Sequence, residues 1–151
     1  MIANRKLSGF WTGEILINNQ FRSRTFNRDV SYVLQDDIHI PTLTVEETIY
    51  FSAATRMPEG TSASAIKERV DFLLGIMGLT EVRNNYIGDP LHKGISGGQM
   101  KRLSIAVEIV ALPYLIFLDE PTSGLDSSIA LEVMKSVRSL VSLNRFVFIY
   151  F

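Results

Sequence analysis

Cysteine is absent from the 151 residues, and histidine occurs only twice, at His39 and His92. Without cysteine there is no disulfide framework, no thiolate metal site and no cysteine nucleophile. The two histidines stand at no ligand spacing and read as surface or loop residues. Neither sign of charge is in excess, with 15 Lys+Arg against 16 Asp+Glu, and no basic run occurs. The electrostatic footprint of a nucleic-acid binder is therefore missing. Long apolar runs are missing as well: the most apolar stretch, residues 105–118, carries Glu108 and Pro113 and falls short of the about 20 residues that cross a bilayer. The first six residues lack the apolar stretch and cleavage site of a signal peptide, which points to the cytosol. What is present, 46% hydrophobic residues and ten glycines in a chain of this length, suits one core and not two independent domains.

Local patterns divide the chain. Residues 14–18 (Glu-Ile-Leu-Ile-Asn) followed by Asn19 predict a strand entering a turn, and residues 30–35 predict a second strand. Thr44 with Glu47 makes a capping box that opens a helix through about Ala54. A second helix places Ile66, Val70, Leu73, Leu74 and Met77 on one stripe before Gly78 ends it. After a loop marked by Gly88, Pro90 and Gly94, residues 100–112 read as a helix against a sheet, stopped by Pro113. The apolar run 114–118 ends in Asp119-Glu120-Pro121 and predicts a strand buried on both faces of a parallel sheet. Asp126 starts another amphipathic helix, and residues 146–151 form a further buried-strand candidate. Strand, helix and strand at this spacing give an α/β fold.

Two places carry chemistry. Ser96-Gly97-Gly98-Gln99 stands before the helix, where Ser96 caps and Gln99 closes the box. The cap leaves the glycines unexplained, since each costs about 0.8 to 1 kcal/mol relative to Ala inside a helix. They make sense if something lies against bare backbone, and free N–H groups at a helix start suit a phosphate. At the strand tip, a buried Asp119 needs a partner or a cation. Mg²⁺ is the natural companion of a phosphate there, and Glu120, diverging from Asp119, can face a water.

The string Gly94-Ile95-Ser96-Gly97-Gly98-Gln99-Met100-Lys101-Arg102-Leu103-Ser104, followed by Leu115-Ile116-Phe117-Leu118-Asp119-Glu120-Pro121-Thr122-Ser123-Gly124-Leu125-Asp126, resembles the signature motif, Walker B strand and D-loop of ATP-binding-cassette (ABC) ATPases. Gln35-Asp36-Asp37, with Leu43-Thr44-Val45-Glu46-Glu47 and Phe51-Ser52-Ala53-Ala54, resembles the Q-loop and arm of the G (white-type) subfamily of transporters. The resemblance implies a partial P-loop NTPase-type parallel sheet with a helical arm: a β portion over 1–41, the arm over 42–94, and signature helix, Walker B, D-loop and a helix–strand pair over 95–151. It implies an ATPase with ATP and Mg²⁺ as cofactors. In that scheme Gln35 touches Mg²⁺ and the attacking water, Asp119 binds Mg²⁺ and Glu120 is the general base. Ser96, Gly97, Gly98 and Gln99 would hold the γ-phosphate of ATP bound by a second cassette, with Asp126 linking the two sites. The implied partners are that cassette and a transmembrane domain outside this chain, which would hold the protein at the cytoplasmic face of a membrane.

One element of the resemblance is not met. No G-x-x-x-x-G-K-[ST] occurs in the sequence, so the loop that cradles the β- and γ-phosphates is missing. Residues 1–9 resemble the end of the helix after that loop, and residues 145–151 resemble the strand before the family's switch histidine. The expectation is a fragment of a cassette, inactive alone and prone to aggregate through an unpaired apolar sheet edge. Two other readings compete with the transporter cassette: a non-transport ABC ATPase and a catalytically incomplete interaction module. The span from Gln35 to Ser96 has no room for the long coiled coil of chromosome-maintenance ATPases, and the near-neutral charge speaks against a ribosome or DNA binder.

Overall fold

The computed structural model describes residues 12–14, 16, 17, 19–21, 26–89, 91–143 and 145–150. A short antiparallel hairpin comes first, β1 (Leu16–Ile17) and β2 (Gln20–Phe21), turned by Asn19 at a φ of 62°. Asparagine is one of the few residues that accept this left-handed conformation. The central sheet is parallel, with β4 (Leu115–Asp119) between β3 (Val30–Val33) and β5 (Phe146–Tyr150). Its register sets Val33 beside Leu118 and Asp119 beside Tyr150. The carboxylates Asp119 and Glu120 thus stand at the C-terminal edge, where ligands of open parallel sheets bind.

Among the described residues, four α-helices cover the sheet and extend from it. Helix α1 (Val45–Arg56) has the full capping box of Thr44 and Glu47 and buries Val45, Ile49 and Ala53. Helix α2 (Ala63–Ile76) is capped by Ser62 and buries Val70, Leu73 and Leu74. Gly78 follows at a φ of 63° and stops it. Helix α3 (Gly97–Ile109) begins three residues before the apolar stripe does, and α4 (Ser127–Val141) buries Val133, Val137 and Leu140 at i, i+4 and i+7. Helix α3 packs on β3, α1 and α4. One hydrophobic cluster takes side chains from α1, α2, α3 and α4 and from β3 and β4, so residues 42–94 share a core with the sheet.

The sheet departs from the expectation of strands buried on both faces. In β4, Ile116 and Leu118 are buried while Leu115, Phe117 and Asp119 are half-exposed. In β5, Phe146, Phe148 and Tyr150 are 66%, 50% and 69% exposed. A continuous apolar run cannot distinguish two buried faces from one. Here α3 and α4 pack over one face, and the opposite face carries a row of rings, Tyr32, Phe117 and Phe148, with centroids 6.3 and 5.2 Å apart.

Candidate functional site

At the C-terminal edge of the sheet, β3 and β4 bring two acids and two polar side chains together. Tyr32 donates its hydroxyl to Asp119 Oδ2 at 2.6 Å, which supplies the partner a half-buried carboxylate requires. Gln35 donates Nε2 to Glu120 Oε2 at 2.8 Å. The parallel register, which sets Val33 beside Leu118, carries the residues after β3 up to those after β4. Glu120 itself sits at a φ of 41°, a strained conformation for a residue with a Cβ. It is fixed by its own N–H donating to Tyr150 O at 2.9 Å. Such strain gathers at functional positions because the surroundings must over-determine it.

The segment bearing Gln35 is held from α3. Lys101, whose side chain is 4% exposed, donates Nζ to Gln35 O at 2.7 Å and to Leu34 O at 3.4 Å, and its Nζ lies 2.8 Å from Asp37 Oδ1. The approach to Asp37 is an ion pair without directed hydrogen-bond geometry. His39 Nε2 lies 2.7 Å from Ser104 Oγ on the same helix. Burial holds the His39 imidazole below its ordinary pKa, with Asp37 opposing and Lys101 reinforcing the effect. Both histidines lie in loops: His39 is half-buried and hydrogen-bonded in the segment after β3, and His92 is exposed and paired with Asp89.

A second group forms where the starts of α3 and α4 meet. Ser96 caps α3: its Oγ accepts from Gln99 N at 3.3 Å, and Gln99 Oε1 accepts from Ser96 N at 2.8 Å. Asp126 caps α4, accepting from the N–H groups of Ser128 and Ile129 at 3.0 Å. The Ile129 amide and then the Ser128 hydroxyl hold the Asp126 carboxyl below the usual range. The two glycines differ. Gly97 is exposed, and a Cβ there would sit 3.5 Å from Leu125 Cδ2, in ordinary contact. Gly98 is buried, and a Cβ there would collide with Ile129 Cγ2. Gly97 thus leaves its backbone open to solvent, while the missing side chain of Gly98 serves the packing of α3 on α4.

The sequence-predicted residues thus fall into two groups, with Gln35, Asp119 and Glu120 in one and Ser96, Gly97, Gly98, Gln99 and Asp126 in the other. Tyr32, Lys101 and Ser104 were missed; the buried charge on an apolar helix was the one available sign of Lys101. Among the described residues no three acids or histidines form a ready-made metal cage. The donor set nevertheless suits Mg²⁺, which takes one or two carboxylates together with phosphate oxygens and waters. Asp119 offers the carboxylate, and Gln35, with Nε2 turned to Glu120, directs its amide oxygen elsewhere.

Comparison with known proteins identifies the family of the sequence. Residues 5–123 match the family described as ABC transporter. The chain belongs to the ABC transporter family. It is 44% identical over 140 residues to ABC transporter G family member 6 of Arabidopsis thaliana, covering 92% of this chain and 19% of the relative. It is 43% identical over 146 residues to G family member 31 of the same plant, 96% of this chain and 10% of that protein. G family member 24 of Dictyostelium discoideum is 42% identical over 142 residues, 94% of this chain and 12% of its own. The chain therefore carries a G-type cassette sequence and spans at most about a fifth of the length of these three relatives. Among the described residues no helix is long and apolar enough to cross a membrane.

Proposed function

We propose that this chain is part of the ATP-binding cassette of a G-type transporter, in which ATP binding and hydrolysis between two cassettes drive export through a transmembrane domain. The observation that supports this reading most is the hydrogen bond from Gln35 to Glu120. It joins the end of β3 to the end of β4, at the sheet edge that also carries Asp119. Glu120 accepts a proton from the attacking water and Gln35 orients that water, as general-base chemistry requires within hydrogen-bond reach. Asp119 would hold the Mg²⁺ of the nucleotide, and Tyr32 fixes its carboxylate. Bound Mg²⁺ would neutralise charge developing on the phosphate oxygens. The N–H groups at Gly97 and Gly98, with Ser96 and Gln99, receive the γ-phosphate of the nucleotide on the opposite cassette, and Asp126 beside them connects the sites.

The arm, 42–94, and the segment 35–44 carry the motion to the membrane partner. A cleft of about 470 Å³ lies between them, lined by Ile38, His39, Pro41, Ile87, Ile95 and Met100. Ile38 and Ile40 beside it are 81% and 56% exposed, the kind of apolar surface that marks a docking site. The test of the catalytic assignment is ATP turnover of the whole transporter. Glu120→Gln is expected to lower it at least about a hundredfold while bound ATP is retained. Turnover equal to the unaltered protein would overturn the assignment.

A further inference from the structure

A second cleft lies at the opposite end of the sheet from Asp119 and Glu120, and its volume is about 300 Å³. It is lined by Met57 and Pro58 after α1, Arg69 of α2, Leu112 after α3, Tyr114 before β4 and Arg145 before β5. Five strand residues, about 17 Å, separate the two ends of β4, so this cleft is independent of the nucleotide site and of its proposed role.

Its two arginines lack what the other packed arginines have. Arg56 pairs with Glu108, Arg83 with Glu46 and Asp71, and Arg102 with Glu132. Among the described residues no carboxylate lies within ion-pair distance of Arg69 or Arg145, and the undescribed residues carry no acidic side chain. Arg69 donates Nη1 to Val110 O at 2.9 Å. The Arg145 guanidinium lies over the Tyr114 ring, 4.9 Å from its centroid. Its Nε is buried with no hydrogen-bond partner among the described residues. Burial and then the charge of Arg145 lower the pKa of Arg69. Leu112 at the rim is held at a φ of 50°, a strain of the kind that collects at ligand sites.

Two guanidinium forks match the oxygens of a dianionic phosphate better than those of a single carboxylate. Met57, Pro58 and Leu112 make an apolar wall beside them, which an inorganic ion would leave unused. We propose that this cleft binds an organic phosphate monoester, its phosphate between Arg69 and Arg145 and its apolar part against that wall.

The test uses the intact chain and three probes: phenyl phosphate, inorganic phosphate, and phosphatidylcholine vesicles with or without phosphatidic acid, a membrane source of the same group. Phenyl phosphate is expected to bind saturably, with a Kd at or below about 1 mM, and more tightly than inorganic phosphate. Arg145→Gln and Arg69→Gln should each weaken it at least about tenfold. Arg145→Lys should recover part of the loss, and Lys135→Gln on the exposed side of α4 should change nothing. Sedimentation with phosphatidic acid vesicles, lost in Arg145→Gln, would support the proposal with a lipid headgroup as the source. Binding of phenyl phosphate alone would support it with a soluble ester. Circular dichroism confirms that each variant is folded, and Arg69→Gln serves if Arg145→Gln is not. No saturable binding of phenyl phosphate or phosphatidic acid, or binding unchanged by both glutamine variants, would overturn it.

Discussion

Gly97 and Gly98 are neighbours in one motif and do different work. A Cβ on Gly98 meets Ile129 Cγ2 across the α3–α4 contact, and overpacking of this kind costs about 1–3 kcal/mol. Gly98→Ala should lower stability by that amount in chemical denaturation, with part of the loss recovered by adding Ile129→Ala. Gly97→Ala meets only an ordinary contact with Leu125 and should leave stability unchanged or slightly raised. In the whole transporter Gly97→Ala should nevertheless depress ATP turnover, because it places a methyl group where a phosphate approaches the amides. Equal stability losses in the two variants would contradict this division. The glycine pair was legible in the sequence as the start of a helix; that one of the two answers to Ile129, some thirty residues on, was not, since nothing local encodes a contact between helices.

At the scale of elements, the ends were the most readable feature. The capping boxes of Thr44 with Glu47 and of Ser96 with Gln99 are short-range chemistry, and both form as the spacing implies. The positive φ of Gly78 after α2 follows the same logic. The faces of the strands were not readable: β4 and β5 are apolar throughout, so the pattern could not say that only one side meets helices. Nor did it show that α3, through Lys101 and Ser104, holds the segment after β3 that carries Gln35. That link has a pH signature. His39 has its pKa lowered from 6.5 in the folded state, so folding favours the neutral ring. The corresponding stability is complete above the unfolded value and is lost as pH falls through the folded one. The unfolding free energy should therefore fall more steeply between about pH 7 and pH 5 in the unaltered protein than in His39→Gln. Parallel pH profiles would contradict this account of the α3 contact.

For the whole molecule, the uneven covering of the sheet decides behaviour in solution. Tyr32, Phe117 and Phe148 form a row of rings, flanked by the exposed Phe146 and Tyr150 on β5, an outer strand of the described sheet. Exposed aromatic surface beside a strand edge without a partner among the described residues is a template for association. The isolated chain should therefore self-associate with rising concentration in analytical ultracentrifugation, and Phe146→Lys with Phe148→Thr should shift it toward monomer. A chain that stays monomeric without those changes would refute the reading.

The central claim joins both ends of the site: the acids after β4 and the amides that open α3 act on one nucleotide shared by two cassettes. Amide hydrogen exchange of the whole transporter carrying Glu120→Gln, with and without ATP and Mg²⁺, addresses it most directly. The account predicts that ATP slows exchange at Gly97 and Gly98 together with the segment around Glu120. Slowing around Glu120 with no change at Gly97 and Gly98 would contradict it.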